Sequence, residues 1–427
     1  MITRRQLPNG VPLITEEVPE SRVCALSFRF AIGSRHESGQ LSGITHFVEH
    51  LLFKGTANRS AFDIAAAFDR IGGYINAYTE RECLVVYCVA PALHVETALE
   101  ILCDMTEHSL FREEEIERER EVIISEIVSA RDDPEEAAAD AVAETVFPKQ
   151  RISASISGSE KNIRSLSRED LFAWYTEKIA RGPLSVYAAG GMDAAVVETC
   201  AASLSARTNI SVELERPAWK SGVSLITADF RQEQFFFLTP LAYPLEERRC
   251  FAWAILNALI GDTMSSRLFQ RLREENGFCY NVYSYFVLYE DAGFWCAYAS
   301  SARKMTVQVV NALFEELHRL AAGGIGDDEI SAAKEHLCGE EIISEEDMEY
   351  RMKRLMRNHL NGFERHTLED TLVFIRDIRK DELELLLREL LDFQRMAFVV
   401  YGPALPIRTK KKIITAAASK MNNCRGE

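Results

Sequence analysis

One order of strand-like and helix-like segments runs through the first half of the chain and then runs again. It begins with a strand in which Cys24, Leu26, Phe28, Phe30 and Ile32 alternate with other residues and stop at Gly33. Helical stretches follow at about 42–53 and 60–71, the latter closed by Gly72-Gly73. Strand-like runs around Asn76–Tyr78 and Leu84–Val89 precede a helix at about 92–109 and a long charged helix from Glu113. Another helix starts near Ser167, and the apolar run Leu184–Ala189 stops at Gly190. The second half offers a strand at Phe235–Leu238, helices at Arg249–Leu259 and Ser265–Arg273, and strands at Cys279–Leu288 and Gly293–Ala299. Helices at about 303–321, from Asp327 and near Asp381 lead to the strand Met396–Tyr401 before Gly402. Ile116 and Ile330, like Gly190 and Gly402, lie roughly 210 residues apart, the offset expected of a duplicated domain. The expected fold class is therefore α+β. Each of two homologous domains, 1–205 and 223–427, has an antiparallel sheet with helices on one side, and 206–222 is the linker. Two unrelated α/β domains are the alternative.

With 47% hydrophobic residues, a chain of 427 residues has ample material for two such cores. Lys and Arg number 49 against 65 Asp and Glu, a net charge of −16, which argues against binding nucleic acid and leaves basic ligands open. There is no apolar run of about 18 residues, so no membrane span is expected, and the N-terminus lacks the apolar core of a signal peptide. Ten dispersed cysteines without a CxxC pair suit buried thiols in a reducing, cytoplasmic setting.

The chemistry gathers at two places. His46 and His50 lie in the helical stretch LSGITHFVEHLLF, four residues apart and so on one face, where they can share a metal ion. Glu49 stands beside them, close enough to take a proton from a water on that metal. The pattern is HxxEH, the mirror of HExxH. Two histidines packed against a core, with Glu49 on the surface, would be the bland account.

A catalytic zinc site needs a third protein ligand. Most of the charge in Glu113–Ser129 reads as a solvated helix face. Glu126 differs, for Ile123, Ile124, Ile127 and Val128 surround it, so it is expected to be buried and to want a cation. Glu119, two turns earlier on the same face, is expected to orient a histidine or help the base.

HFVEHLLFKGT, followed by EREVIISEI, resembles the active-site signature of the pitrilysin / insulinase / mitochondrial processing peptidase superfamily, specifically its short two-domain branch. LPNGVPLI, GSRHES, IGGYINAYT and a YEDAGF segment extend the likeness over nearly the whole chain. The resemblance implies one zinc ion per chain on His46, His50 and Glu126, with Glu49 as base and Glu119 as an additional acid. It implies further that Arg273 and Tyr280, in MSSRLFQRLREENGFCY, hold the substrate carbonyl or oxyanion. Taken alone, those two would pass for a surface Arg and a strand Tyr. Asn76 and Ala77 match the edge strand that pairs with the substrate backbone. At the corresponding place of the second half stand Ala254 and Ala258, which cannot bind metal. The chain departs from the family pattern at Ala180-Arg181-Gly182-Pro183-Leu184 and after Phe147.

The expected function is that of a zinc metalloendopeptidase acting on peptides or unfolded segments. Its expected assembly is a homodimer, or else a heterodimer with a homologous chain. The alternatives are a non-catalytic subunit of a family pair and an acidic protein that captures basic peptides.

Overall fold

A computed structural model describes residues 2–208, 214–363 and 367–422. Residues 209–213 of the expected linker, and Cys424, lie outside that range.

The first sheet has six strands: β1 (Ile2–Gln6), β2 (Pro12–Glu17), β3 (Val23–Phe30), β4 (Tyr74–Thr79), β5 (Leu84–Pro91) and β6 (Leu184–Gly190), in the order β1-β2-β6-β3-β5-β4. The second has five: β7 (Gly222–Thr227), β8 (Gln232–Pro240), β9 (Asn281–Leu288), β10 (Gly293–Ala302) and β11 (Ala397–Gly402), in the order β7-β11-β8-β10-β9. Apart from β1, the two orders are the same path traced twice, with β2, β3, β4, β5 and β6 answering to β7, β8, β9, β10 and β11. Pairing is antiparallel except between β2 and β6 and between β7 and β11, one parallel pair in the same place of each sheet. The duplication seen in the sequence is thus present in the topology.

The alternation in β3 puts Cys24, Leu26, Phe28 and Phe30 into the main core with the helices of that face. The residues between them are also buried: Ala25, Ser27 and Arg29 are at most 5% exposed. The reason is a single helix, Met348–Leu360, lying across β2, β3 and β6 on the opposite face. Its Met348, Met352 and Leu355 pack on Ile14, Ala25, Tyr187 and Ala189. The small Ala25 and Ala189 make room for it. Helices therefore cover both faces, not one.

That helix comes from the second half of the sequence. The compact units are Met1–Ala130 with Arg151–Glu215 and Ser344–Arg365, and Arg131–Gln150 with Arg216–Ile343 and His366–Glu427. The second unit includes the helix Pro134–Val146 from the first half, which packs on β8 and β11. The two helices occupy equivalent places in the repeat, each directly after a long charged helix (Glu113–Asp132 and Asp327–Ser344). The halves have exchanged them.

Charge secures the exchanged helix in the first unit. Glu16 of β2 accepts from Arg351 Nη1 at 2.8 Å and from Arg354 Nη2 at 2.9 Å, and Glu345 meets both guanidiniums from the other side. The Arg354 side chain is only 4% exposed. Removing one member of such a cluster strands opposite charge in a poorly hydrated place, which costs more than the pair contributes. Arg354→Met is therefore expected to lower the unfolding free energy by about 3 kcal/mol in urea titration. A loss under about 1 kcal/mol would mean that Arg351 alone neutralises both carboxylates.

None of the nine described cysteines is in a disulfide, and burial raises the thiol pKa of Cys24 to about 11 and of Cys83 to about 12. They act as small apolar residues. Among the described residues, no helix is long and apolar enough to cross a membrane.

Candidate metal centre

The helix Ile44–Leu52 carries the HxxEH residues, and two features fix where it begins. Gly43 adopts φ 89°, and a side chain there would strike Ser157 O at 2.6 Å, so the turn demands glycine. The buried carboxylate of Glu37 accepts the Gly43 N–H at 2.7 Å and the Thr45 N–H at 2.9 Å, an acidic cap reaching in from the preceding loop. Burial nevertheless raises Glu37 to about 7, with the two amide bonds opposing the shift. Ile44, Phe47, Val48, Leu51 and Leu52 face the core, which turns His46, Glu49 and His50 together toward the helix Glu113–Asp132 and β4.

His46, His50 and Glu126 form a group whose ligand atoms all lie within 4.8 Å of one another. Glu126 Oε2 is 3.4 Å from His50 Nε2 and 3.9 Å from His46 Nε2. Ligands of a tetrahedral zinc at about 2.05 Å stand roughly 3.3 Å apart, so a small contraction would close the group around an ion. Burial, helped by the neighbouring His50, pushes His46 down to about 4, which leaves the ring neutral with a lone pair free at physiological pH. Two imidazole nitrogens and one carboxylate are the donor set of a catalytic zinc site. The residues present fit the ion.

Glu119 Oε2 lies 3.0 Å from His50 Nδ1, and its Oε1 takes a 2.8 Å ion pair from Lys54 Nζ. An N–H donated from His50 Nδ1 to Glu119 leaves Nε2 as the free donor atom, on the side where Glu126 stands. Sequence reasoning expected Glu126 to be the buried carboxylate, and here the structure differs. The Glu126 side chain is 47% exposed, while that of Glu119 is 8% exposed. Ile116, Ile123, Ile124 and Ile127 do form a buried stripe, but Glu126 and Val128 sit beside it rather than in it. Both acids nonetheless reach His50, as their shared helix face requires.

Glu49 is half-buried and raised above the ordinary carboxylate range, chiefly by burial. Its bond from Thr79 and the nearness of His50 oppose the shift, and Glu126 adds to it. The Thr79 hydroxyl, at the end of β4, donates to Glu49 Oε2. Neither Thr79 nor Lys54 was picked out from the sequence. Lys54 does follow His50 by four residues, the helical repeat that could have singled it out.

Asn76 and Ala77 lie on β4, which ends the sheet order, so that among the described residues one edge of it has no strand partner. Asn76 turns its Oδ1 to the Ala77 N–H. In the second unit, Arg273 Nη1 donates to Tyr280 O at 2.9 Å, and its guanidinium stacks 4.5 Å from the Tyr280 ring and 4.8 Å from that of Phe269. Tyr280 is 74% exposed. The structure therefore brings Arg273 and Tyr280 together as a pair.

The family model described as Insulinase (Peptidase family M16) matches residues 13–160, and that described as Peptidase M16 inactive domain matches 165–337. The chain belongs to the M16 peptidase family. His46, Glu49, His50, Glu119 and Glu126 all fall in the first match. Arg273 and Tyr280 fall in the second, the half where Ala254 and Ala258 stand in place of the histidines. Curated relatives within the family include an uncharacterized zinc protease of Streptomyces coelicolor, 32% identical over 94% of this chain and 90% of that protein. The uncharacterized zinc protease YmxG of Bacillus subtilis is 30% identical over 91% and 96%. In fold, the chain is similar to a peptidase M16 inactive domain from Pseudomonas fluorescens (TM-score 0.87, 18% identity, 95% of this chain and 98% of that one). It is also similar to a protease from Helicobacter pylori (TM-score 0.81, 18% identity, 94% and 99%).

Proposed function

We propose that the protein is a zinc-dependent metalloendopeptidase that cleaves peptides or unfolded segments, with one zinc ion per chain on His46, His50 and Glu126. The observation that carries this reading is the convergence of those three side chains beside a carboxylate, Glu49, that belongs to the same helix as the two histidines. When bound, zinc polarises the scissile carbonyl and makes water more acidic. Glu49, with its raised pKa, accepts the proton of the attacking water and passes it to the departing amine nitrogen. Glu119 holds His50 in the tautomer that binds metal.

The open edge of β4 at Asn76 and Ala77 would take an extended substrate backbone as an added strand. Arg273 and Tyr280, following the family resemblance, supply donors for the substrate carbonyl or the oxyanion. The second unit is the partner half without metal. Thiols without a disulfide, most of them buried, suit a reducing cytoplasm, and a homodimer is proposed because metal and donor motifs occur in the same chain. The acidic charge favours basic peptides.

A panel of quenched peptides tests the reading. Zinc-loaded protein is expected to cleave a subset of the panel, chelation to abolish cleavage, and added zinc to restore it, with product masses giving the cleaved bonds. Protein that holds zinc but leaves the whole panel intact would favour the non-catalytic subunit instead. Retention of basic peptides uncut would favour the capture protein.

A further inference from the structure

The base and the open strand edge meet at one residue. Thr79 is the last residue of β4, three positions after Asn76 and two after Ala77. Its backbone is pinned by register, Thr79 opposite Leu84 and Ala77 opposite Val86 of β5. A β-branched side chain on a paired strand has little χ1 freedom, so its hydroxyl is a donor held in a fixed place. That donor points at Glu49 Oε2. Glu49 by contrast has a long side chain that is costly to order. Among the described residues, the Thr79 bond is the hydrogen bond given to its carboxylate. With Oε2 held, Oε1 is left to receive a proton.

We propose that Thr79 is a positioning residue that fixes the general base Glu49 to the strand on which the substrate backbone is seated. The inference rests on the proposed role of Glu49 as base. Because the seat and the donor belong to one rigid strand, a peptide in register along β4 is also in register with the base. The reaction gains from alignment without a contact between Thr79 and substrate.

Thr79→Val keeps the branched shape and removes the donor, whereas Thr79→Ser keeps the donor and removes a methyl group. With a cleavable peptide, Thr79→Val is expected to lower kcat about 20-fold, with KM within about twofold of wild type and zinc content and melting temperature unchanged. Thr79→Ser is expected to stay within about threefold of wild-type kcat. Thr79→Ala serves as a second donor-free variant should the valine impair folding.

Wild-type kcat in both donor-free variants would overturn the proposal and leave the peptidase reading standing. So would a loss in Thr79→Ser as deep as in Thr79→Val, or a loss confined to KM. Zinc-loaded wild type that cleaves nothing overturns the peptidase reading and this inference with it.

Discussion

Peptide hydrolysis by the Glu49→Gln variant is expected to fall at least about a thousandfold while the protein keeps its zinc. The substitution is nearly isosteric, and a glutamine carbonyl can still accept from Thr79, so the packing of the Ile44–Leu52 helix is undisturbed. What disappears is the group proposed to take a proton from water. Glu49 is suited to that task by its surroundings, since burial raises it above an ordinary carboxylate and so makes it a stronger base. It is not one of the three convergent ligand groups, so metal affinity should be spared. Initial rates on a quenched peptide and metal content measured on the same sample decide the matter. A variant that hydrolyses at the wild-type rate would remove Glu49 from the reaction, and one that loses zinc would make it part of the metal shell.

Truncation of the metal shell should act on affinity first. Structural zinc sites bind with about 10–16 kcal/mol over four ligands, so each protein ligand is worth about 2.5–4 kcal/mol, or roughly a hundredfold to a thousandfold in Kd. His46→Ala, His50→Ala and Glu126→Ala are each expected to weaken zinc binding by about that factor in chelator competition. The metal-free proteins should differ from one another. Glu126 is half-exposed, and its removal should leave apo stability within about 0.5 kcal/mol of wild type. His50→Ala also strips the buried Glu119 of an imidazole partner, leaving it the ion pair with Lys54, so a further loss of about 1 kcal/mol is expected in urea titration of the apo protein. Zinc affinity unchanged in all three variants would refute the site; unchanged affinity in Glu126→Ala alone would move the third ligand elsewhere.

The parts of this site that the sequence made visible are those governed by local geometry. A helix repeats every 3.6 residues, so His46 and His50 had to share a face, and so did Glu119 and Glu126. The repeated order of strands could likewise be followed through the two halves. Burial of a single helical residue is another matter. Ile123, Ile124 and Ile127 are neighbours of Glu126 in sequence, yet each step along the helix turns by about 100°, so apolar neighbours do not make a residue apolar in its surroundings. Only the elements packed alongside decide which edge is covered, and they cover Glu119. Thr79 escaped for the same reason, because its partner Glu49 lies on another segment, whereas Lys54 had a local mark in its spacing from His50. The helix Met348–Leu360 displays a periodic pattern but carries no local mark of which sheet it will cover. A trace of it was available in β3, whose Ala25 and Ser27 are small enough for a second covered face.

The reciprocal placement of the helices Pro134–Val146 and Met348–Leu360 has a consequence for cooperativity. Melting the first sheet releases Met348, Met352 and Leu355 from their seat on Ile14, Ala25 and Tyr187, and with them a segment that interrupts the chain of the second unit. Melting the second sheet likewise sets free Pro134–Val146, which interrupts the chain of the first. A half excised at the linker would lack a helix that covers its sheet, and is expected to be less stable than the same half in the whole chain. Duplicated domains joined by a simple tether can unfold in two steps; here each half of the sequence lends a helix to the sheet of the other, so one cooperative transition is expected.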